Sequence, residues 1–292
     1  MDSQPLACIV FRAGQPALIV FRLAETDSAG NSSPNPMPRY ALGIEYDGTD
    51  FLGWQTQHQE PTVQATLERA LAFVADQPVA AVCAGRTDTG VHARGQVVHF
   101  DCVATRDARA WVMGVNSRLP PTVAVCWAQP VREDFHARYS ARRRSYRYRI
   151  LRRATRPALD ARLCTWVREP LDVDAMRLAV PALIGEQDFS SFRTVACQSR
   201  SPVRNLTRID LVESGEFLDF EFEANAFLHH MIRNLVGSLL LVGKGEQPPS
   251  WIAEVLAARD RTRAGPTAPP QGLTFLAARY PAEFGLPPAH TL

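Results

Sequence analysis

Residues 83–100 read C-A-G-R-T-D-T-G-V-H-A-R-G-Q-V-V-H-F, and no other stretch restricts the fold as much. Two runs suited to strands enclose a polar loop. Residues 79–83 are apolar, and residues 96–100 alternate and are rich in β-branched side chains. Between them stand Gly85, Gly90 and Gly95 among Arg86, Thr87, Asp88, His92 and Arg94. Glycines there let the backbone turn tightly and let another molecule come close. A hairpin between two buried strands does not need that much polar chemistry. The pattern predicts a loop that holds Asp88 in a cleft with arginine nearby. An aspartate in such a loop can also close the turn by a side-chain hydrogen bond to backbone, and the two roles are compatible.

The rest of the chain supplies a scaffold around this loop. Residues 39–46 read as a strand ended by Asp47-Gly48, followed by T-D-F-L-G-W-Q-T-Q, in which Phe51 and Trp54 are candidates for core packing or for anchoring a loop. Residues 61–76 carry Val63, Leu67, Leu71 and Val74 at helical spacing. A second helix is expected over 105–119, with Trp111 and Val115 on one face, and a strand over 123–127. The order strand, helix, strand, strand, helix, strand is that of a ferredoxin-like unit. Further on, strands are expected over 144–151, 206–212, 217–222 and 272–280. Helices are expected over 171–183 (Met176, Leu178 and Ala179 as apolar contacts), 227–242 and 250–258. A turn with two aromatics fills 185–192. This predicts an α+β protein of two ferredoxin-like (RRM-like) halves, with antiparallel sheets flanking a central cleft. The halves are 39–143 and 144–281, with a Ser/Asn/Pro-rich extension over 1–38 and a tail over 282–292.

Composition narrows the class. The net charge of +2 does not by itself announce a nucleic-acid binder, but eleven arginines between Arg138 and Arg168 face one acid, Asp160. The alternating strand over 144–151 puts Tyr146, Tyr148 and Ile150 on one face and Arg147 and Arg149 on the other. Beside a cleft, such arginines contact phosphates and an aromatic stacks on an unpaired base. Six scattered cysteines without a C-x-x-C pair suggest neither a zinc site nor a disulfide framework, so reduced thiols and a cytoplasmic location are expected. No apolar run approaches a membrane span. On a helix, the adjacent His229 and His230 point about 100° apart, so no metal site is expected there. Arg233, amid apolar neighbours, needs a carboxylate partner: Asp88, or another acid such as Glu221.

G-R-T-D-x-G-V-H-A followed by G-Q-V-V-H-F closely resembles the active-site signature of the TruA family of tRNA pseudouridine synthases. The G-W-Q element, the R-x-Y-R-Y strand and the 185–192 turn match that family too, over roughly residues 40–280. The resemblance implies the pseudouridine synthase fold and isomerisation of uridine at positions 38, 39 and 40 of the tRNA anticodon stem-loop. It implies Asp88 as the catalytic residue, Arg233 as its ion-pair partner and Tyr146 in contact with the target nucleotide. Arg86 is expected to support the site and base flipping, and Arg142, Arg143 and Arg144 to grip the RNA. Homodimers are implied. Nothing is oxidised or hydrolysed, so no metal or cofactor is required.

Two other classes compete. A non-catalytic RNA-binding module of the same fold would bind tRNA equally well after Asp88→Ala. Asp88-Thr89-Gly90 is also the tripeptide of aspartic proteases, whose two aspartates share a proton. This chain has no second D-T-G or D-S-G, and arginine beside Asp88 works against proton sharing.

Overall fold

The computed structural model describes residues 37–288, so the apolar runs at 7–11 and 17–21 and the polar stretch up to residue 36 lie outside the described residues. From Arg39 the chain forms β1 (Arg39–Tyr46), α1 (Val63–Ala75), β2 (Val82–Cys83), β3 (His92–Asp101), α2 (Ala108–Asn116) and β4 (Val123–Val131). Then follow β5 (Arg143–Arg152), β6 (Thr165–Val167), α3 (Val173–Ala179), β7 (Gly185–Asp188), β8 (Val203–Ser214), β9 (Phe217–Ala224), α4 (Met231–Gly243), α5 (Trp251–Ala258) and β10 (Leu273–Arg279). The architecture is mixed α+β.

Helix ends follow local chemistry. Thr62 caps α1 by accepting from Ala65 N, and Val63, Leu67 and Leu71 bury one face of it. Asp107 caps α2 by accepting from Ala110 N at 2.6 Å, while Trp111 and Val115 are fully buried. Pro181 ends α3 early. The expected helix over 171–183 is therefore a short α-helix followed by a 3-10 turn over Val180–Leu183. Met176 and Ala179 are buried, but Leu178 is 73% exposed and is not a core contact.

The strands make one sheet rather than two. Its order is β4-β1-β3-β10-β5-β9-β8-β7, with β2 on β3 and β6 on β5. Strand β10 joins the halves: it pairs antiparallel with β5 and parallel with β3 through Thr274↔His92 and Phe275↔Ala93. The last strand of the chain thus lies between β3 and β5 in the middle of the sheet. Strand β7, read from sequence as a turn, adds an edge to β8.

Register between β5 and β9 decides where the arginines go. Tyr146↔Phe222, Tyr148↔Phe220 and Ile150↔Leu218 form an apolar face. Phe220, Phe222 and Leu218 are fully buried there, each burial contributing roughly 1.5–3 kcal/mol. On the opposite face Ser145↔Glu223, Arg147↔Glu221 and Arg149↔Asp219 set a serine and two arginines of β5 against acids of β9. Past β10, Phe284 packs on Phe135 with ring centroids 5.2 Å apart, so the start of the expected tail is docked.

Candidate active site

The loop between β2 and β3 is shorter than its glycines suggest. His92, Arg94 and Gly95 belong to β3, and only 84–91 is loop. Nearly every residue in it is anchored. Ala84 N donates to Val97 O at 2.8 Å. The Gln96 side chain acts as a surrogate strand, its Nε2 donating to Gly85 O at 2.6 Å and its Oε1 accepting from Gly85 N at 3.3 Å. Thr87 Oγ1 lies 2.8 Å from the Tyr46 hydroxyl. The G-W-Q element braces the loop from the other side: Trp54 N donates to Thr87 O at 3.0 Å, and Gly90 N donates to Phe51 O at 3.3 Å. Gly53 has φ +89°, and a Cβ there would meet Thr87 O at 2.8 Å, so this close approach requires glycine. Trp54 is both core and loop anchor.

Asp88 is left facing three nitrogen-bearing side chains. Arg233, on the first turn of α4, brings Nη1 to 3.3 Å from Asp88 Oδ2 and donates from Nε to Ala268 O at 2.8 Å. His229 Nε2 is 3.4 Å from Oδ1, and His230 Nε2 is 3.4 Å from Oδ2. These distances exceed those of tight charge-assisted hydrogen bonds, as is common before a substrate closes a site. Arg233 thus meets Asp88, while Glu221 pairs with Arg208 at 2.8 Å.

The histidines converge because they are not on the helix. Helix α4 starts at Met231, and His230 is its N-cap residue in left-handed backbone, φ 61°. The 100° argument against convergence therefore fails. Sequence reasoning missed this pair. Leu228 lies three residues before Met231 and fits the same apolar period, so nothing in the period marks the boundary.

The carboxyl of Asp88 retains 20% side-chain exposure. Burial pushes its pKa up, but the His229 hydrogen bond and the charges of His230, His229 and Arg233 outweigh that and hold it below the usual carboxylate range. Burial, with the charges of Arg233, His229 and Arg261, lowers the pKa of His230 against the pull of Asp88. Asp88, His229 and His230 offer three ligand atoms within 4.8 Å of one another. The Arg233 guanidinium on the same carboxylate opposes a second cation there. The same cationic surroundings disfavour the shared proton of an aspartic protease.

Tyr146 is buried. Its ring makes edge contacts with Phe227 and Phe275, centroids 5.0 Å away in each case. A Cβ on Gly85 would lie 3.4 Å from its hydroxyl, so the ring sits against the loop of Asp88. Burial pushes its pKa up, and the neighbouring charges include Asp88. Tyr148 is core, its hydroxyl 2.6 Å from Thr165 Oγ1 and donating to Pro269 O at 2.8 Å.

The arginines separate by environment. Arg144 is buried, and its five N–H groups all reach backbone carbonyls: Ala84, Ala141, Asn225 and Arg138. It has no donor left for a phosphate, which corrects the RNA-gripping expectation. It is a clamp that ties the root of the loop carrying Asp88 to the ends of two other segments. Arg143 pairs with Glu223 at 2.8 Å, Arg149 with Asp219 at 2.6 Å and Arg152 with Glu213 at 2.9 Å. By strand alternation Arg143 lies on the sheet face opposite Tyr146. Arg86 and Arg142 are exposed and have no ion pair among the described residues.

The family model described as tRNA pseudouridine synthase matches residues 43–140 and 179–281. The curated tRNA pseudouridine synthase A of Xanthomonas oryzae pv. oryzae (strain PXO99A) is 59% identical over 251 residues, 85% of this chain and 98% of that one. Its counterpart in Stenotrophomonas maltophilia (strain K279a) is 57% identical over 255 residues, 87% of this chain and 100% of that one. A chain from a solved Cbf5-Nop10-Gar1 complex covers 81% of this chain and 48% of its own length at 11% identity and TM-score 0.33, too remote to add to the fold. Among the described residues, no helix is long and apolar enough to cross a membrane.

Proposed function

The chain belongs to the tRNA pseudouridine synthase family and is an isomerase of that class; on that premise we propose that it converts uridine to pseudouridine at positions 38, 39 and 40 of the tRNA anticodon stem-loop. The reaction breaks N1–C1′, turns the uracil and joins C5 to C1′. C5 loses a proton and N1 gains one, so the balance closes without a redox partner or water. The observation that carries the reading is the Asp88 carboxylate facing Arg233 Nη1 at 3.3 Å and the Nε2 atoms of His229 and His230 at 3.4 Å.

Two routes use that carboxylate. Asp88 attacks C1′ to form an ester that is displaced by C5, or it removes the C2′ proton to give a glycal. Both need a base taken out of its stack. Tyr146 packs on that base, and Arg86 fills the space it leaves. Arg142 contacts the RNA backbone. The homodimer and the ferredoxin-like character of halves 39–143 and 144–281 belong to the same proposal, the latter supported by the β-α-β-β-α-β order of the first half.

The test uses unmodified tRNA transcript labelled with tritium at uracil C5, with wild-type protein and Asp88→Ala. Release of tritium by the wild type alone supports the reading. Binding without release by either protein replaces it with a non-catalytic RNA-binding module.

A further inference from the structure

Between β4 and β5 a short loop holds an aromatic ring out to solvent. Tyr139 is 75% exposed, yet the loop beneath it is fully tied. His136 Nδ1 accepts from Arg138 N at 3.1 Å and from Tyr139 N at 3.2 Å. Ser140 Oγ accepts from His136 N at 2.9 Å. Ala137 N donates to His99 Nδ1 at 3.1 Å, and Ala137 O accepts from the Tyr280 hydroxyl at 2.6 Å. The Tyr139 ring lies over the His136 ring, centroids 4.3 Å apart and planes at 34°. The Arg138 guanidinium sits 5.5 Å from the Tyr139 ring. A loop built this firmly around an open ring presents that ring in a fixed pose.

The charge around it points to an anion. Arg138 and Arg142 stand one residue before and three residues after Tyr139, and both are exposed without an ion pair among the described residues. Arg143, Arg149 and Arg152, by contrast, are neutralised by acids of β8 and β9. Arg144 joins Arg138 O and Ala84 O on one guanidinium. The loop is therefore fixed to the root of the loop that carries Asp88.

We propose that Tyr139, packed against His136 and with Arg138 and Arg142 close by in the same loop, is a platform for a second unpaired base of the RNA whose uridine enters the Asp88 site. This rests on the RNA-modifying function proposed above. An aromatic face takes any base by stacking, and adjacent arginines take its phosphates. The platform holds the strand next to the extruded nucleotide, so its contribution falls on binding of the substrate rather than on the bond-breaking step.

The experiment places 2-aminopurine at each unpaired position of the anticodon loop of a tRNA transcript, one at a time. Wild type, Asp88→Ala, Tyr139→Phe and Tyr139→Leu are titrated in each case. At one position the fluorescence is quenched by wild type, Asp88→Ala and Tyr139→Phe but not by Tyr139→Leu. Tyr139→Leu also raises KM about tenfold, with kcat changed less than twofold. Equal quenching by Tyr139→Leu at every position, with KM unchanged, overturns the platform while tritium release leaves the isomerase reading standing. Tyr139-dependent quenching without tritium release from any protein keeps the platform and removes the isomerase reading. Failure of the wild type to bind the transcript removes both.

Discussion

His230 Nε2 lies 3.4 Å from Asp88 Oδ2 because His230 occupies the left-handed region, φ 61°, one residue before α4 begins. Left-handed backbone at a residue with a Cβ costs roughly 1 kcal/mol. Strain of that kind, located beside the Asp88 carboxylate, marks the imidazole as the reason for the conformation. His230→Gly removes the strain and the ring together, whereas His230→Ala removes only the ring. We predict that both variants lose tenfold or more in single-turnover rate, while the glycine variant unfolds at a higher temperature than the alanine variant. Wild-type turnover by His230→Gly would reduce the ring to a bystander.

Arg233→Gln isolates the guanidinium. In the wild type Asp88 titrates below its ordinary value, because the surrounding cations outweigh its burial. A depressed carboxyl contributes stability that is present above its unfolded pKa and is lost as pH falls through the lower folded pKa. Removing Arg233 removes one of the opposing charges, so the Asp88 pKa rises. The acid limb of kcat/KM then moves to higher pH, and activity at neutral pH falls at least tenfold. A pH–rate profile of the variant checks both; an unmoved acid limb would separate Arg233 from the ionisation of Asp88.

How legible the site was depends on how local each feature is. The G-R-T-D loop, its glycines and the R-x-Y-R-Y alternation are contiguous, so Asp88 and the face of Tyr146 could be read directly. The meeting of Asp88 with Arg233 spans 145 residues and was reached through family resemblance and the need of a buried cation for an acid. The histidine pair was lost to a helix boundary, the least legible part of any pattern. The arginine cluster misled because one-dimensional density ignores strand partners. Glu213, Asp219 and Glu223 lie on β8 and β9, yet they meet Arg152, Arg149 and Arg143. The merging of both halves through β10 had no local signal either, since two residue pairs make the parallel join.

Three neighbouring arginines should respond in three different ways. Arg142→Gln removes an exposed cation that has no ion pair among the described residues, so the slope of log K for tRNA against log salt becomes shallower by about 1. Arg143→Gln removes a side chain already paired with Glu223; the slope stays near wild type and stability changes by about 1 kcal/mol or less. Arg144→Gln strands the carbonyls of Ala84, Ala141, Asn225 and Arg138. Its expected cost is roughly 3–5 kcal/mol of stability, since a buried hub of hydrogen bonds is broken on one side. Urea unfolding and salt-dependent filter binding of the three proteins measure this. A change of slope for Arg143→Gln as large as for Arg142→Gln would refute the division.

His99 makes the fold sensitive to mild acid. It is buried against Phe135 and His136, with centroids 6.1 Å and 4.6 Å away, and its Nδ1 accepts from Ala137 N. Burial, then the charges of His136 and Arg39, push its pKa down from 6.5 to about 4. Above pH 6.5 the imidazole is neutral in folded and unfolded chains, and its contribution is complete. As pH falls from 6.5 towards about 4, the unfolded chain takes up a proton that the folded chain refuses, so stability declines. Discounted for partial solvent access, the loss across that window is on the order of 2 kcal/mol. Glutamine at this position keeps an acceptor for Ala137 N and does not titrate. His99→Gln should therefore show a smaller fall in urea midpoint between pH 7 and pH 4.5 than the wild type. The loop that carries Tyr139 hangs on the same bond to Ala137, so tRNA affinity of the wild type weakens over that range more than that of His99→Gln. Parallel losses in both proteins would assign the acid sensitivity to other groups.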